Sequence, residues 1–360
     1  GPGWQEERGV GAGAPPGPDT RPDADHRQRR SSIHLSAAAL TGDITMRSAL
    51  LLLLPLLGAL PAQDLPVEGP ILGYAWDAAA SRLRPILGIP GSSLLGPPVA
   101  TDDLALIEIS PRQDYALGVT AGSGAVVLLG LAGGRVSAHP LVDVPPGPIR
   151  LALSPTGRAA ALYYKDSGEV RTLTGLPQAP TLAARLELPG TPDALAVSDA
   201  GDAVLVAAAG RLYAGSRFLG PIGPNPPLAF LENSTDAVVA DPARNEVFLL
   251  RGEAERLILA GERDGISEPV AVAAAGRRAL VANAGSRTVA ILNLDGGPAV
   301  LVHCPCEVTG LQRLRGDALF RLTDSFHVTT YLLEADPAGP RTWFVPPDAA
   351  PSRPTRQRSR

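Results

Sequence analysis

One pattern recurs through most of this 360-residue chain and limits what it can fold into. IEISPRQDYALGV (107–119), LALSPTGRAAALYY (151–164) and LAVSDAGDAVLVAA (195–208) each join two short apolar runs through a polar turn. Their serines, Ser110, Ser154 and Ser198, stand 44 residues apart. The pattern continues in LAFLENSTDAVVA (228–240), VAVAAAGRRALVAN (270–283) and LQRLRGDALFRLT (311–323). The residues at one register position, Asp114, Arg158, Asp202, Asp236, Arg278 and Asp317, advance by about 41 on average, a repeat-scale period. Two more strand candidates lie between units, such as EVRTLTGL (169–176) and TLAARLEL (181–188). Four short strands in about 40 residues is the period of a propeller blade. The expected fold is therefore all-β: a single β-propeller of about seven four-stranded blades, with six as the alternative count. Residues 71–105 supply about three more strands, read as a first blade that is incomplete or closed by chain-end pairing. Closure matters because an open ring leaves strand edges unpaired.

Composition supports this reading. The chain holds 39 Gly and 37 Pro, which supply turns and weaken long helices, while 45% of its residues are apolar and fill a core. The first strand of each unit carries a further signal. A sheet with one solvated face alternates apolar and polar residues. Here both faces are apolar in four of six units: Leu151-Ala152-Leu153, Leu195-Ala196-Val197, Leu228-Ala229-Phe230 and Val270-Ala271-Val272. The central alanine in each suits close packing near an axis. Ile107-Glu108-Ile109 and Leu311-Gln312-Arg313 break the rule in the first and last full units. Glu108, Gln312 and Arg313 either form a polar patch near the ring closure or satisfy one another.

ALVANAGSRTVAILNLD (279–295), a strand, an Asn-x-Gly-Ser turn and a strand, resembles the YVTN-type (lactonase-like) propeller repeat. LALSPTGR (151–158) is similar to the strand and Ser-Pro-x-Gly turn that open repeats in that family. The resemblance covers roughly 71–347. Proteins with this repeat include lactonase-like enzymes, dehydrogenase subunits and surface-layer proteins, so it implies a fold and leaves the activity open.

The ends read differently. Met46 and Arg47 precede the apolar run Ala49–Leu60, which Pro61-Ala62-Gln63 closes. This is the pattern of a secretory signal peptide over 46–62, cut after Ala62, and the run is too short to span a membrane. Residues 1–45 are read as a spurious or disordered extension, and 348–360 as a disordered Pro/Arg tail. The expected mature domain is 63–347: secreted or periplasmic, bacterial in character, without a transmembrane segment, and monomeric. Lys165 is the sole lysine and the formal net charge is −4, which argues against a nucleic-acid partner.

No HExxH, P-loop, GxSxG or EF-hand pattern is present, so no catalytic residue, metal site or cofactor is assigned. Gly122-Ser123-Gly124 reads as a turn. Asp199-Ala200-Gly201-Asp202 reads as a hairpin turn, with calcium ligation the alternative, and Asn233-Ser234-Thr235 is formally a glycosylation sequon. Cys304 and Cys306, in HCPCEVTG (303–310), form a disulfide, stay as free thiols, or bind a metal with His303. On a regular strand their Cα atoms would be about 6.5 Å apart, near the disulfide limit, and Pro305 either supplies the necessary bend or prevents it. The loops leading into the first strands carry Asp103, Arg150, Asp193, Glu268 and Glu307, which either line a channel-mouth ligand site or form a solvated acidic rim. The expected function is that of an exported, non-catalytic propeller binding an unknown protein, glycan or small ligand. The alternative is a lactonase-like hydrolase with a metal in the central channel, and a third reading gives Cys304 and Cys306 a surface or redox role.

Overall fold

Each repeat folds as a meander, because turns of a few residues can join only antiparallel neighbours. The structure is a computed structural model that describes residues 69–78, 80–99, 103–132, 135–252, 255–316, 318–323, 329–336 and 338–347. The proposed extension, signal peptide and C-terminal tail lie outside these residues, as does Asp317. Among the described residues there are seven antiparallel sheets, and the helical structure is one 3₁₀ turn, Glu262–Asp264. Six sheets have four strands: blade 2 (104–140), blade 3 (150–187), blade 4 (194–221), blade 5 (228–260), blade 6 (269–303) and blade 7 (312–345). Blade 1 (71–95) has three. The protein is a seven-bladed β-propeller.

The serines at 44-residue intervals do a local job. Their N–H groups close the turn from the inner to the second strand, Ser110 to the carbonyl of Tyr115, Ser154 to Ala159 and Ser198 to Ala203. The Ser154 hydroxyl also accepts the N–H groups of Arg158 and Ala159. Gly157 and Gly201 complete these turns at φ 68° and 75°, the left-handed region that glycine enters without strain. Second strands such as Ala159–Tyr164 and Val204–Ala208 are buried along their whole length, because each blade is sandwiched between two others. Outer strands such as Thr181–Glu187 are mostly exposed.

Among the described residues blade 1 has no innermost strand. Tyr74 and Leu83 pack with Ala116, Val127 and Leu129, which lie on the second and third strands of blade 2. Leu72, Ala75, Ile86 and Leu95 pack with Leu319, Leu332 and Val345, on the second, third and fourth strands of blade 7. The three strands Ile71–Asp77, Arg82–Ile89 and Ser92–Leu95 therefore stand at the second, third and fourth radial positions. Of the two expectations for this blade, it is the incomplete one that holds. The last strand, Arg341–Val345, pairs within its own blade, so among the described residues no chain-end pairing closes the ring.

Side chains take the place of the missing strand. Gln113 Oε1 accepts the N–H of Tyr74 at 2.6 Å, and Gln312 Nε2 donates to the Tyr74 carbonyl at 2.9 Å. The Gln113 amide donates in turn to the carbonyl of Arg313 at 2.6 Å. The Arg315 N–H donates to the Leu72 carbonyl at 2.7 Å, and its guanidinium reaches the carbonyls of Ile71 and Gln113. Gln113 is fully buried and holds φ at 60°, a cost tolerated because both ends of its amide are used. Gln113→Ala removes the acceptor of the buried Tyr74 N–H and the donor to the part-buried Arg313 carbonyl, at about 1–3 kcal/mol each. Urea unfolding is expected to show a loss of about 3 kcal/mol in total. A loss below about 0.5 kcal/mol, the scale of an ordinary surface change, would show that the ring closes by other means.

Candidate functional site

The turns fix which inner-strand residues share one height. In five blades the second pair counted from the turn is Glu108–Leu117, Ala152–Ala161, Ala196–Leu205, Ala229–Val238 and Gln312–Arg321. Blade 6 turns more tightly, through Gly276-Arg277 closed by the pair Ala275–Arg278, so its equivalent is Ala273, opposite Leu280. The expected alanine, Ala271, lies one side-chain repeat further from the turn.

These six residues ring a central cavity of about 450 Å³. Leu151, Leu195, Leu228, Phe230 and Leu311 add to its wall. Four alanines keep the lumen open along an apolar arc. The polar arc, Glu108 with Gln312 and Arg313, flanks the blade that lacks an inner strand.

The polar residues share a cavity without pairing. Gln312 is engaged with Tyr74, and Arg313 Nη1 donates to Glu232 Oε1 at 2.5 Å. The expectation that Glu108, Gln312 and Arg313 satisfy one another is thus replaced by a shared patch, because the edge of blade 1 and Glu232 claim the donors. Glu108 has no hydrogen bond or ion pair among the described residues. Its side chain is exposed to the channel space, while the surrounding blades crowd it on all other sides, and this partial desolvation pushes its pKa up to about 7.

The cavity opens at the turn end of the inner strands, into a depression lined by residues that include Pro111, Arg112, Pro155, Glu232 and Arg313. This face is tied together from blade to blade. Asp199 Oδ1 accepts the N–H of Thr156 at 2.8 Å and its hydroxyl at 2.5 Å, while Oδ2 accepts the N–H of Asn233 at 2.7 Å. Asp202 accepts the Ser198 hydroxyl at 2.7 Å. The Asp199–Asp202 stretch is thus a hairpin turn whose carboxylates are already occupied. Burial works to raise the Asp199 pKa, but hydrogen bonds from Asn233, Thr156 and Ser154 together hold it below the usual 3.8.

The residues expected at the channel mouth lie at the opposite ends of the same strands. Asp103, Arg150, Glu268 and Glu307 are exposed and Asp193 is half-buried. Arg150 Nη1 donates to the Asp193 carbonyl at 3.0 Å, linking blades 3 and 4, and the Glu268 N–H donates to Asn245 Oδ1 at 2.8 Å. Among the described residues no three His, Cys, Asp or Glu side chains are grouped to hold a metal ion. The structure joins Cys304 to Cys306, with Cα atoms 5.1 Å apart. They are closer than on an extended strand because the strand Val300–His303 has ended and the chain bends at Pro305. His303 stays on that strand, paired with Thr288.

No family model and no curated protein matches the chain. Solved structures do. A protein from Lactobacillus plantarum is 13% identical over 77% of this chain and 96% of its own, with a TM-score of 0.54. A functionally unknown protein from Desulfotomaculum acetoxidans is 13% identical over 78% and 100%, with a TM-score of 0.52. U3-55K is 12% identical over 69% and 83%, at 0.50. The likeness is one of fold. Among the described residues no helix is long and apolar enough to cross a membrane.

Two pH dependences follow, of opposite sign. The folded-state pKa of Asp199 is depressed, so its stabilisation is present above the ordinary carboxylate value and is lost as pH falls through the folded one. Asp199→Ala, which strands donors at a half-buried site, is expected to cost about 2 kcal/mol at pH 6 and less as the carboxyl becomes protonated in acid. Equal costs at both pH values in urea titrations would count against this linkage. The folded-state pKa of Glu108 is raised, so folding weakens as pH climbs from 4.5 to about 7 and then levels. Thermal melts of Glu108→Gln should exceed the wild type above pH 7 and coincide with it at pH 4. A constant offset would refute the assignment.

Proposed function

We propose that this chain is an exported, non-catalytic propeller of the YVTN type that binds a small ligand in its central channel. The observation that carries the reading is the ring at one height: four alanines that keep a 450 Å³ lumen open, and a polar arc at blades 2 and 7. Ligand sites are commonly concave, largely apolar, and supplied with a few placed polar groups. Export rests on the basic and apolar pattern from Met46 to Ala62, and the joined cysteines suit an oxidising compartment. The YVTN assignment rests on the 279–295 repeat. The hydrolase alternative needs a cluster of metal ligands in the channel, and no such group stands among the described residues.

A thermal-shift screen of the full chain against a small-molecule library, with Ala229→Leu run alongside, tests this. Leucine at that position fills the lumen and leaves the outer surface unchanged. Hits are expected to raise the melting temperature of the wild type and not of the filled variant. Hits that shift both equally, or that the protein converts to product, would overturn the reading.

A further inference from the structure

The geometry points to a small organic ammonium ion as the channel ligand, its charged nitrogen held by Glu108 and its apolar body laid along Ala152, Ala196, Ala229 and Ala273. The inference rests on the channel-binding reading and adds the chemical class.

Charge accounting within the cavity leads to it. Glu108 and Arg313 are the charged side chains on the wall, and Arg313 is engaged by Glu232. Glu108 faces the lumen with no partner among the described residues. At the same register position four blades carry alanine, so the fold itself does not require a carboxyl there. A charged group in apolar surroundings is costly unless it is paired. The Glu108 carboxyl gains a hydrogen-bonded counter-ion when an ammonium enters, and a low local dielectric strengthens that attraction.

The other ligand classes fit less well. A calcium ion takes six to eight oxygen ligands, and the alanine arc supplies no side-chain oxygen. An anion meets the carboxylate of Glu108, while the nearby guanidinium is already engaged. A neutral apolar molecule fills the lumen but leaves the carboxyl unsatisfied. The ammonium satisfies both arcs at once.

The test uses the full chain and two probes of the same shape, benzylamine and benzyl alcohol, titrated near pH 8 by ligand-observed NMR. Benzylamine is expected to bind at least tenfold more tightly, about the effect of one charge-assisted hydrogen bond. Glu108→Gln and Glu108→Ala, the second of which extends the alanine arc to five blades, should remove that advantage while altering benzyl alcohol affinity less than about twofold, a near-neutral change. Ala229→Leu should weaken both probes. Equal affinities for the two probes in the wild type, or an advantage that survives both Glu108 variants, overturns the ammonium assignment and leaves channel binding standing. Binding that Ala229→Leu does not weaken, or no saturable binding of either probe, overturns both.

Discussion

The unpaired inner edge of blade 1 governs much of this molecule. Main-chain N–H and C=O groups turned into a protein interior must find partners. Among the described residues no strand supplies them here, and Gln113, Gln312 and Arg315 act in its place. Two of these three residues come from blade 7 and its turn, and one from the turn of blade 2, so satisfying the edge also locks the two ends of the ring to each other. The same constraint makes the channel lopsided. Where inner strands pack side by side, alanine suffices. Beside the gap Gln312 reaches across to the Tyr74 carbonyl, which makes the blade 7 side of the wall polar, whereas Glu108 on the blade 2 side makes no such contact.

The turn face shows how one local motif does two jobs. A Ser-Pro-x-Gly turn needs its serine to close the hairpin and its glycine to adopt a positive φ. The main-chain groups left over then face neighbouring blades. The Tyr115 hydroxyl donates to the Gly157 carbonyl at 2.6 Å, Asp199 joins the turns of blades 3 and 5, and Arg313 of blade 7 meets Glu232 of blade 5. Ties of this kind hold the channel mouth in one geometry before any ligand arrives, which lowers the ordering cost of binding.

The periodic features were legible in the sequence, and the contacts that bridge long separations were not. Serines 44 residues apart and doubly apolar inner strands point to stacked blades, because few other architectures bury both faces of so many short strands. Even the odd residues, Glu108 and Gln312-Arg313, stood out against the alanines. Their partners did not. Gln113 sits in the turn PRQDY, where a glutamine looks like any solvated turn residue, and its partner Arg313 is 200 positions away. The alanine of blade 6 was misplaced by two residues because a two-residue hairpin there replaces the longer turns elsewhere, a change that spacing alone conceals. The loops before the inner strands carry the charges most visible in the sequence, at Asp103, Arg150, Asp193, Glu268 and Glu307. The cavity lies at the other end, where side-chain size on the ring, not loop charge, decides whether a lumen exists.

That ring also shows where folding and function part. For stability alone, the position of Glu108 is best filled by the alanine found in four other blades, since a carboxyl there is partly desolvated and gains no partner among the described residues. Local rules of this kind tend to be broken where a protein does its work. Gln312 breaks the pattern too, and there its Nε2 serves the edge of blade 1 while its Oε1 is buried without a hydrogen-bond partner among the described residues. Glu108 has no such structural duty. Its desolvation is relieved by protonation below about pH 7, or above it by pairing with a positive charge.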